Sequence, residues 1–307
     1  MNQKCRTMLV ILNDINDDTH FKISRNSFNP ELEQSIRLSG MLEEPHLIQR
    51  GDSYTPLTCH NRIKILKAAG VDSLHARVIT APDRGVFMNN VAIKMYKNEI
   101  GPMGRLRVLN ILENDFDVRG TELTDISKKI LKIPADISGD SSCIASISRF
   151  PESLRGYMDA REVPYKTIRD VASLSPDLVS ELNRWVGKIQ VRLNIFKLLV
   201  EHLFDVWRRD GGITPIDDSV ISSMDDKKLY DYIFRIRYPE YTRRRDMSDV
   251  IIRGITGNGI SIDFPEYYER GDFTLKINIS KRYNSDKIKE VLAGIDIQRL
   301  GELISFL

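Results

Sequence analysis

Between Glu31 and Gly70 the spacing of apolar residues changes twice. Leu32 and Ile36, with Ser39, step along one helical face that Gly40 closes. His46-Leu47-Ile48 is an apolar run of strand length, Arg50-Gly51-Asp52-Ser53 is a turn, and Tyr54 to Leu57 returns as the second strand of a hairpin. Near Thr58 the helical period resumes, carries Ile63, Leu66 and Ala69, and stops at Gly70. The stretch predicts helix, hairpin, helix. Upstream, Thr7 to Leu12 predicts a strand, followed by polar Asn13 to Thr19 and by Phe21-Lys22-Ile23-Ser24-Arg25. Downstream, Ala76 to Thr80 predicts another strand and Val86 to Lys94 a helix. Gly101-Pro102 opens a further helix that buries Leu106, Leu109 and Leu112 and ends near Asn114.

Beyond residue 120 the pattern is mostly helical. Leu123 to Leu131 predicts a short helix with Leu123, Ile126 and Ile130 inward. A turn from Lys132 to Asp140 contains Pro134 and Gly139. Ser141 or Ser142 can then cap a second short helix carrying Ile144, Ile147 and Phe150. Helix, turn and helix with small polar residues on the second is a helix-turn-helix pattern, with a turn longer than the tight form. Ser175-Pro176 opens one long helix to about Asp210, its apolar stripe running from Leu182 to Trp207. Gly211-Gly212 and Pro215 end it and mark a linker. A helix follows from about Asp225 to Phe234. Near it, Arg235, Arg237, Arg243, Arg244 and Arg245 interleave with Tyr230, Tyr232, Tyr238 and Tyr241. That mixture suits nucleic acid, and an ordinary surface diluted by Asp231, Glu240 and Asp246 accounts for it nearly as well. From Ser248 the spacing predicts strands at Asp249 to Ile255, Gly259 to Phe264 and Phe273 to Ser280. Helices follow at Lys287 to Gly294 and Ile297 to Phe306.

Composition narrows the class. The chain has 307 residues, 41% hydrophobic and 29% charged, as expected of a soluble globular protein of two or three domains. A net charge of +2 makes no whole-chain case for nucleic acid, so such binding would need a local patch. Cys5, Cys59 and Cys143 are odd in number and far apart, which suits a reducing cytoplasm and opposes a disulfide framework or a cysteine zinc site. No apolar run reaches the roughly 18 residues of a membrane span, and Met8 to Leu12 is too short for a signal-peptide core.

The candidate chemistry lies where the hairpin meets its helix. Thr58, Cys59, His60, Asn61 and Arg62 put unpaired backbone amides and one cation at a helix start, an arrangement that favours anions. Many helix starts share it and bind nothing. A metal-dependent nuclease would need clustered carboxylates, and the stretch has none at a recognisable spacing.

The whole stretch resembles the N-terminal domain of the ParB family of DNA-partition proteins. That family reads L-x-x-S-I-x-x-x-G-L-x-x-P, a hairpin, then Y-x-x-x-x-G-E-R-R-x-x-A-x-x-x-x-G. Leu32, Ser35-Ile36, Gly40, Leu42 and Pro45 match the first part, and Tyr54, Arg62 and Gly70 the second. The Gly-Glu-Arg-Arg positions are Cys59, His60, Asn61 and Arg62, and the following Ala position is Ile65. The family's Glu-Asn-x-x-Arg helix is matched by Asn90, with Asn89 for the Glu and Ile93 for the Arg, and Lys94 beside it. Arg25 occupies the place of an arginine that closes the family's first loop. The segment Phe150-Pro151-Glu152-Ser153-Leu154 is similar to the one after its recognition helix, and Asp159 to Leu174 to its next helical pair.

The resemblance covers about residues 5–210 and implies an α+β protein with three parts. These are a ParB/sulfiredoxin-like nucleotide-site domain (1–100), an all-helical DNA-binding domain with the helix-turn-helix (101–210), and, after a linker (211–247), a small α+β C-terminal domain for dimerisation (248–307). It implies CTP with Mg²⁺ as ligand, held at Ser35, Gly40, Pro45, Thr58 to Arg62, Asn89, Asn90 and Lys94. The altered positions leave metal-assisted CTP hydrolysis without its family residues, because an amide binds a hard cation far less well than a carboxylate. Double-stranded DNA would meet Lys128, Lys129, Lys132, Ser141, Ser142, Ser146 and Arg149. For any single lysine a solvated helix face explains it as well. A homodimer, a partition ATPase as partner, and a cytoplasmic, nucleoid-associated location complete the expectation. Two other classes stay open. One is an enzyme or redox protein using Cys59, since sulfiredoxin carries a Gly-Cys-His-Arg turn. Aligned on Arg62, Cys59 falls one place early, and its helix-start position predicts a lowered thiol pKa. The other is a regulatory interaction protein that binds neither DNA nor nucleotide.

Overall fold

A computed structural model describes residues 6–24, 30–41, 43–256, 260–265 and 271–306. The chain divides into two units, Met1–Tyr230 and Asp231–Leu307. Both mix helix and strand.

The first unit begins with a four-stranded sheet. Strands β1 (Arg6–Ile11), β2 (His46–Arg50), β3 (Ser53–Pro56) and β4 (Ser73–Ile79) lie in the order β1-β4-β2-β3. β2 and β3 form the expected hairpin, with Ile48 opposite Thr55. β4 pairs antiparallel with β1 and parallel with β2. Helices α1 (Pro30–Ser39) and α2 (His60–Ala68) contribute Ile36, Ile63 and Leu66 to a core that also holds Val10, Leu47, Leu74, Ala76 and Val78. Leu74, Ala76 and Val78 alternate with outward His75 and Arg77, as a half-buried strand requires. Ser39, expected on the inner face of α1, is exposed.

Helix α3 (Arg84–Tyr96) is capped by Asp83, whose carboxylate accepts from the Val86 amide at 3.0 Å. Asn89 and Asn90 therefore lie inside the helix, on its side rather than at its start. Helix α4 (Pro102–Asn114) starts with proline at its first position, as expected. Its amides at Met103 and Gly104 donate to the Asp159 carboxylate at 2.8 and 3.4 Å. Gly101 and Gly104 permit this approach. A Cβ at Gly104 would stand 2.5 Å from the Ile23 carbonyl oxygen, and one at Gly101 would stand 2.3 Å from Asp159 Oδ1.

The helical part departs from the sequence pattern in several places. Helix α5 (Gly120–Asp125) runs into a π-turn, Ile126–Leu131. The wider i→i+5 turn puts the next buried position at Leu131, so Ile130 is exposed rather than inward. Helix α6 (Ala135–Ser138) occupies the long turn of the helix-turn-helix. Helix α7 (Ser141–Ser148) is capped by Asp140, which accepts from the Cys143 amide at 3.0 Å, and not by Ser141 or Ser142. Ser142 Oγ donates to that same carboxylate at 2.7 Å.

Helices α8 (Glu152–Ala160) and α9 (Tyr165–Ala172) follow. The single helix expected from Ser175 to Asp210 is two, α10 (Pro176–Lys188) and α11 (Leu193–Asp210). Side chains from elsewhere hold the corner between them. Tyr157 Oη donates to the Val191 carbonyl at 3.0 Å, and Asp226 accepts from the Arg192 amide at 3.0 Å and from its guanidinium at 2.7 and 3.0 Å. Both helices bury an apolar face, so the stripe runs on through the break.

The stretch read as a linker, 211–247, holds α12 (Asp218–Ser222), α13 (Asp226–Arg237) and the first half of α14 (Pro239–Ile255). The division between the units falls inside α13. In the second unit, Asp249 to Ile255 is helix, not strand. Pro239 starts α14, Arg245 and Asp249 pair one turn apart at 3.9 Å, and Ile251 and Ile255 fall on one helical face packed on the core. β5 (Ile260–Asp263) and β6 (Thr274–Ile277) pair antiparallel, and α15 (Ser285–Ala293) and α16 (Ile297–Ile304) complete the unit. Ile255, Ile260 and Val291 form one buried cluster with a ring of half-buried neighbours, and Ile233 and Leu303 are buried as well. The Gly257-Asn258-Gly259 turn lies outside the described residues.

Candidate functional site

The start of α2 is built by the strand before it. Thr58 is buried, and its Oγ1 accepts from the His46 amide at 3.0 Å while the Leu57 amide donates to the His46 carbonyl at 2.9 Å. This stitch turns the chain sharply. Cys59 completes the turn in the left-handed region, at φ 60° and ψ 23°, with no side-chain cap on the helix. The amides of the first helical turn are left for a ligand or for water. Glycine is the residue that takes this conformation without strain.

A cleft of about 650 Å³ opens at this helix start. Thr58, Cys59, His60, Asn61 and Arg62 form one wall, and α3 supplies Asn89, Asn90 and Lys94 from the other. The two sequence motifs thus share one cavity. Ser35, Gly40 and Pro45 do not line it. Ser35 is exposed on α1, and Gly40 ends that helix at φ 66°. Pro45 is buried and accepts through its carbonyl from the Arg77 amide at 2.9 Å. Arg25 and Leu42 lie outside the described residues.

The cleft also contains groups that local pattern did not signal. His46 and Arg77 enter it from β2 and β4, and Glu43, Lys97 and Glu99 stand on its rim. Most of its cations already have partners. Arg62 pairs with Glu43 at 3.1 Å, Lys94 with Glu99 at 2.8 Å, and Arg77 with Glu44 at 3.1 Å. Among the described residues no group of three or more His, Cys, Asp or Glu could hold a metal ion.

The titrating groups are set by burial. Burial pushes the Cys59 thiol up, outweighing the hydrogen bond from Thr58 and the charge of Arg62. The lowered pKa expected for a redox cysteine is therefore overturned. Burial, with Lys22, Lys94 and Arg107 nearby, takes His60 down to about 3. Its Nε2 is shut from solvent without a hydrogen-bond partner. His46 is also lowered, by burial first and Arg77 second.

The second set of predicted residues surrounds α7. Ser141, Ser142 and Arg149 are exposed, and Ser146 is half-buried. Lys128, Lys129 and Lys132 are exposed around the π-turn, Lys129 paired with Asp125 at 2.9 Å. The exposed face of α7 also includes Ala145 and Ser148, which the spacing could have indicated. In the second unit, part of the basic and aromatic segment is engaged with itself. Phe234 packs on Tyr238 and Tyr241 at 4.9 and 5.8 Å, and Arg235 pairs with Asp246 at 3.0 Å. No helix among the described residues is long and apolar enough to cross a membrane.

No family model matches the chain, and no curated protein matches it by sequence. Several solved structures overlap it loosely, three of them as follows. The chromosome-partitioning protein ParB of Caulobacter crescentus, C-terminally truncated and complexed with CTP-γ-S, is 15% identical with a TM-score of 0.26, over 59% of this chain and 99% of its own. The same protein complexed to the centromeric parS site is 13% identical with a TM-score of 0.27, over 63% and 97%. A Pnob8-like ParB-N domain is 13% identical with a TM-score of 0.34, over 76% and 99%. Overlays this loose at identities this low do not establish kinship.

Proposed function

We propose that the chain is a ParB-like, site-specific DNA-binding protein acting in partition or a related DNA-organising role, with a nucleotide pocket of altered chemistry. One observation carries the reading: the Cys59 to Arg62 and Asn89 to Lys94 segments, far apart in sequence and both matched to the family's nucleotide motifs, line one cleft. The free amides of the first turn of α2 suit a phosphate, as do Arg62, Lys94 and Lys97. The paired carboxylates Glu43 and Glu99 compete for two of those cations. A cytidine nucleotide would therefore bind weakly. The donor set does not fit a Mg²⁺ ion: Asn89 and Asn90 offer neutral amides, and the two rim carboxylates are committed. No hydrolytic step follows from these residues.

DNA would meet the exposed face of α7, with Arg149 and the serines toward the groove and Lys128 and Lys132 toward phosphates. A homodimer and a partition ATPase belong to the same proposal. The test is an occupancy map of the protein across the DNA of its native host. Sharp peaks with broad shoulders would mean a site-specific binder that spreads; sharp peaks alone, a site-specific binder that does not. No enrichment would sink the reading. On purified protein, micromolar CTP affinity together with turnover would refute the altered-pocket part.

A further inference from the structure

Asn61, Asn89, Asn90 and Asn98 line the cleft between α2 and α3, and among the described residues none of their side chains has a hydrogen-bond partner. His46 and His60 join them as uncharged groups at neutral pH, since burial lowers both rings. The Nε2 of His60 is closed to solvent and equally unpartnered. Amides and neutral imidazoles offer donors and acceptors without charge. They suit sugar hydroxyls and the edges of a base. The cleft, at about 650 Å³, is larger than inorganic phosphate needs and lies within the roughly 300–1,000 Å³ of ligand pockets.

Positive charge is scarce by comparison. Arg62 is paired with Glu43, Lys94 with Glu99 and Arg77 with Glu44, which leaves Lys97, exposed and without an ion pair among the described residues. Lys97 and the free amides at the start of α2 can balance one phosphoryl group. A second or third would compete with Glu43 and Glu99 for Arg62 and Lys94. Exposed ion pairs are weak, so those cations can turn to a ligand. The carboxylates they leave line the same cleft and repel each added phosphate. The divalent ion that ordinarily offsets such charge has no fitting donor set here.

We propose that the cleft selects a nucleoside monophosphate, held without a divalent metal. The α2 start and Lys97 take its one phosphate, and the asparagine amides take the sugar and base. Glu43 and Glu99 act as the selectivity elements against the triphosphate. The inference rests on the nucleotide reading of the cleft and narrows it.

The test is calorimetric titration of CMP, CDP and CTP into the full chain, each with and without Mg²⁺, with inorganic phosphate as the control. CMP should bind at least as tightly as CTP, Mg²⁺ should change neither by more than about twofold, and inorganic phosphate should bind about tenfold or more weakly than CMP. Glu43→Gln and Glu99→Gln together free Arg62 and Lys94, and should raise CTP affinity about tenfold while leaving CMP within about threefold. A thermal melt shows whether that variant folds, and the titrations of the unaltered protein decide the matter without it. Hydrogen exchange locates the ligand: CMP should slow the amides of residues 59–62 and 89–94. Slowing confined to other segments, or phosphate bound as tightly as CMP, would overturn the proposal. CTP bound about tenfold tighter than CMP would overturn it and leave the nucleotide reading standing. Absence of binding by all three nucleotides at about 1 mM would overturn both.

Discussion

His46 of β2 and Arg77 of β4 are partners in the parallel strand pair, and both line the cleft beside α2. The pairing brings a guanidinium close enough to oppose protonation of the His46 ring, second only to burial. Glu44 holds Arg77 in place at 3.1 Å. Replacing Arg77 with Met should move the His46 pKa upward, toward its ordinary value, in an NMR titration of the ring protons. An unmoved pKa would mean that burial alone sets it.

Cys59 should behave as a conformational residue rather than a reactive one. A left-handed conformation costs a side-chain-bearing residue about 1–2 kcal/mol. Cys59→Gly should therefore leave the melting temperature equal or higher, and Cys59→Val should lower stability by about 1–3 kcal/mol, because a β-branched side chain tolerates positive φ worst. Its raised thiol pKa predicts slow alkylation at neutral pH. Fast alkylation of Cys59 in the folded protein would revive the redox alternative.

Where local periodicity suffices, the fold was legible. The hairpin and helices of residues 31–70 and the proline-started α4 follow from side-chain spacing and turn residues alone. Distant partners hid the rest. The break between α10 and α11 is held by Asp226, 34 residues beyond Arg192, while the apolar stripe runs through it uninterrupted. Val250, Ile251, Ile252 and Ile255 are β-branched and read as a strand over Asp249 to Ile255, whereas the packed residues Ile251 and Ile255 stand one helical turn apart. The site divided the same way. Motif residues on α2 and α3 were readable, whereas His46 and Arg77 meet only through sheet pairing. The thiol of Cys59 was misjudged because a helix start suggests stabilised charge and says nothing about burial.

His60 gives the fold a pH dependence with a definite sign. Its ring protonates near 6.5 when the chain is unfolded and only at about 3 in the folded protein. Between those values the folded state binds fewer protons, so stability is full above pH 6.5 and falls as pH drops through the window. The slope is at most about 1.4 kcal/mol per pH unit. Urea midpoints at pH 7.5, 6.5 and 5.5 should decline below 6.5, and His60→Gln should flatten that decline. His46, lowered in the same direction, leaves a residual slope. An identical decline in the variant would remove His60 from the account.

The corner at Arg192 carries the last prediction. Asp226 is buried and accepts from the Arg192 amide and from two nitrogens of its guanidinium. Those hydrogen bonds hold its carboxyl below the usual carboxylate range. A hydrogen bond to a charged group contributes about 1.5–3 kcal/mol, and Asp226→Ala also strands the Arg192 amide at the start of α11. The expected loss is about 2–4 kcal/mol, read as a lower denaturant midpoint with an unchanged slope. Asp226→Asn keeps an acceptor for the amide and should lose less. Because the folded carboxyl is the more acidic one, the stabilisation is present above the ordinary Asp pKa and is lost as pH falls through the folded value. Asp226→Ala should therefore cost less in acid than at pH 7. An Ala variant as stable as the unaltered protein would mean that α10 and α11 hold their angle by apolar packing alone.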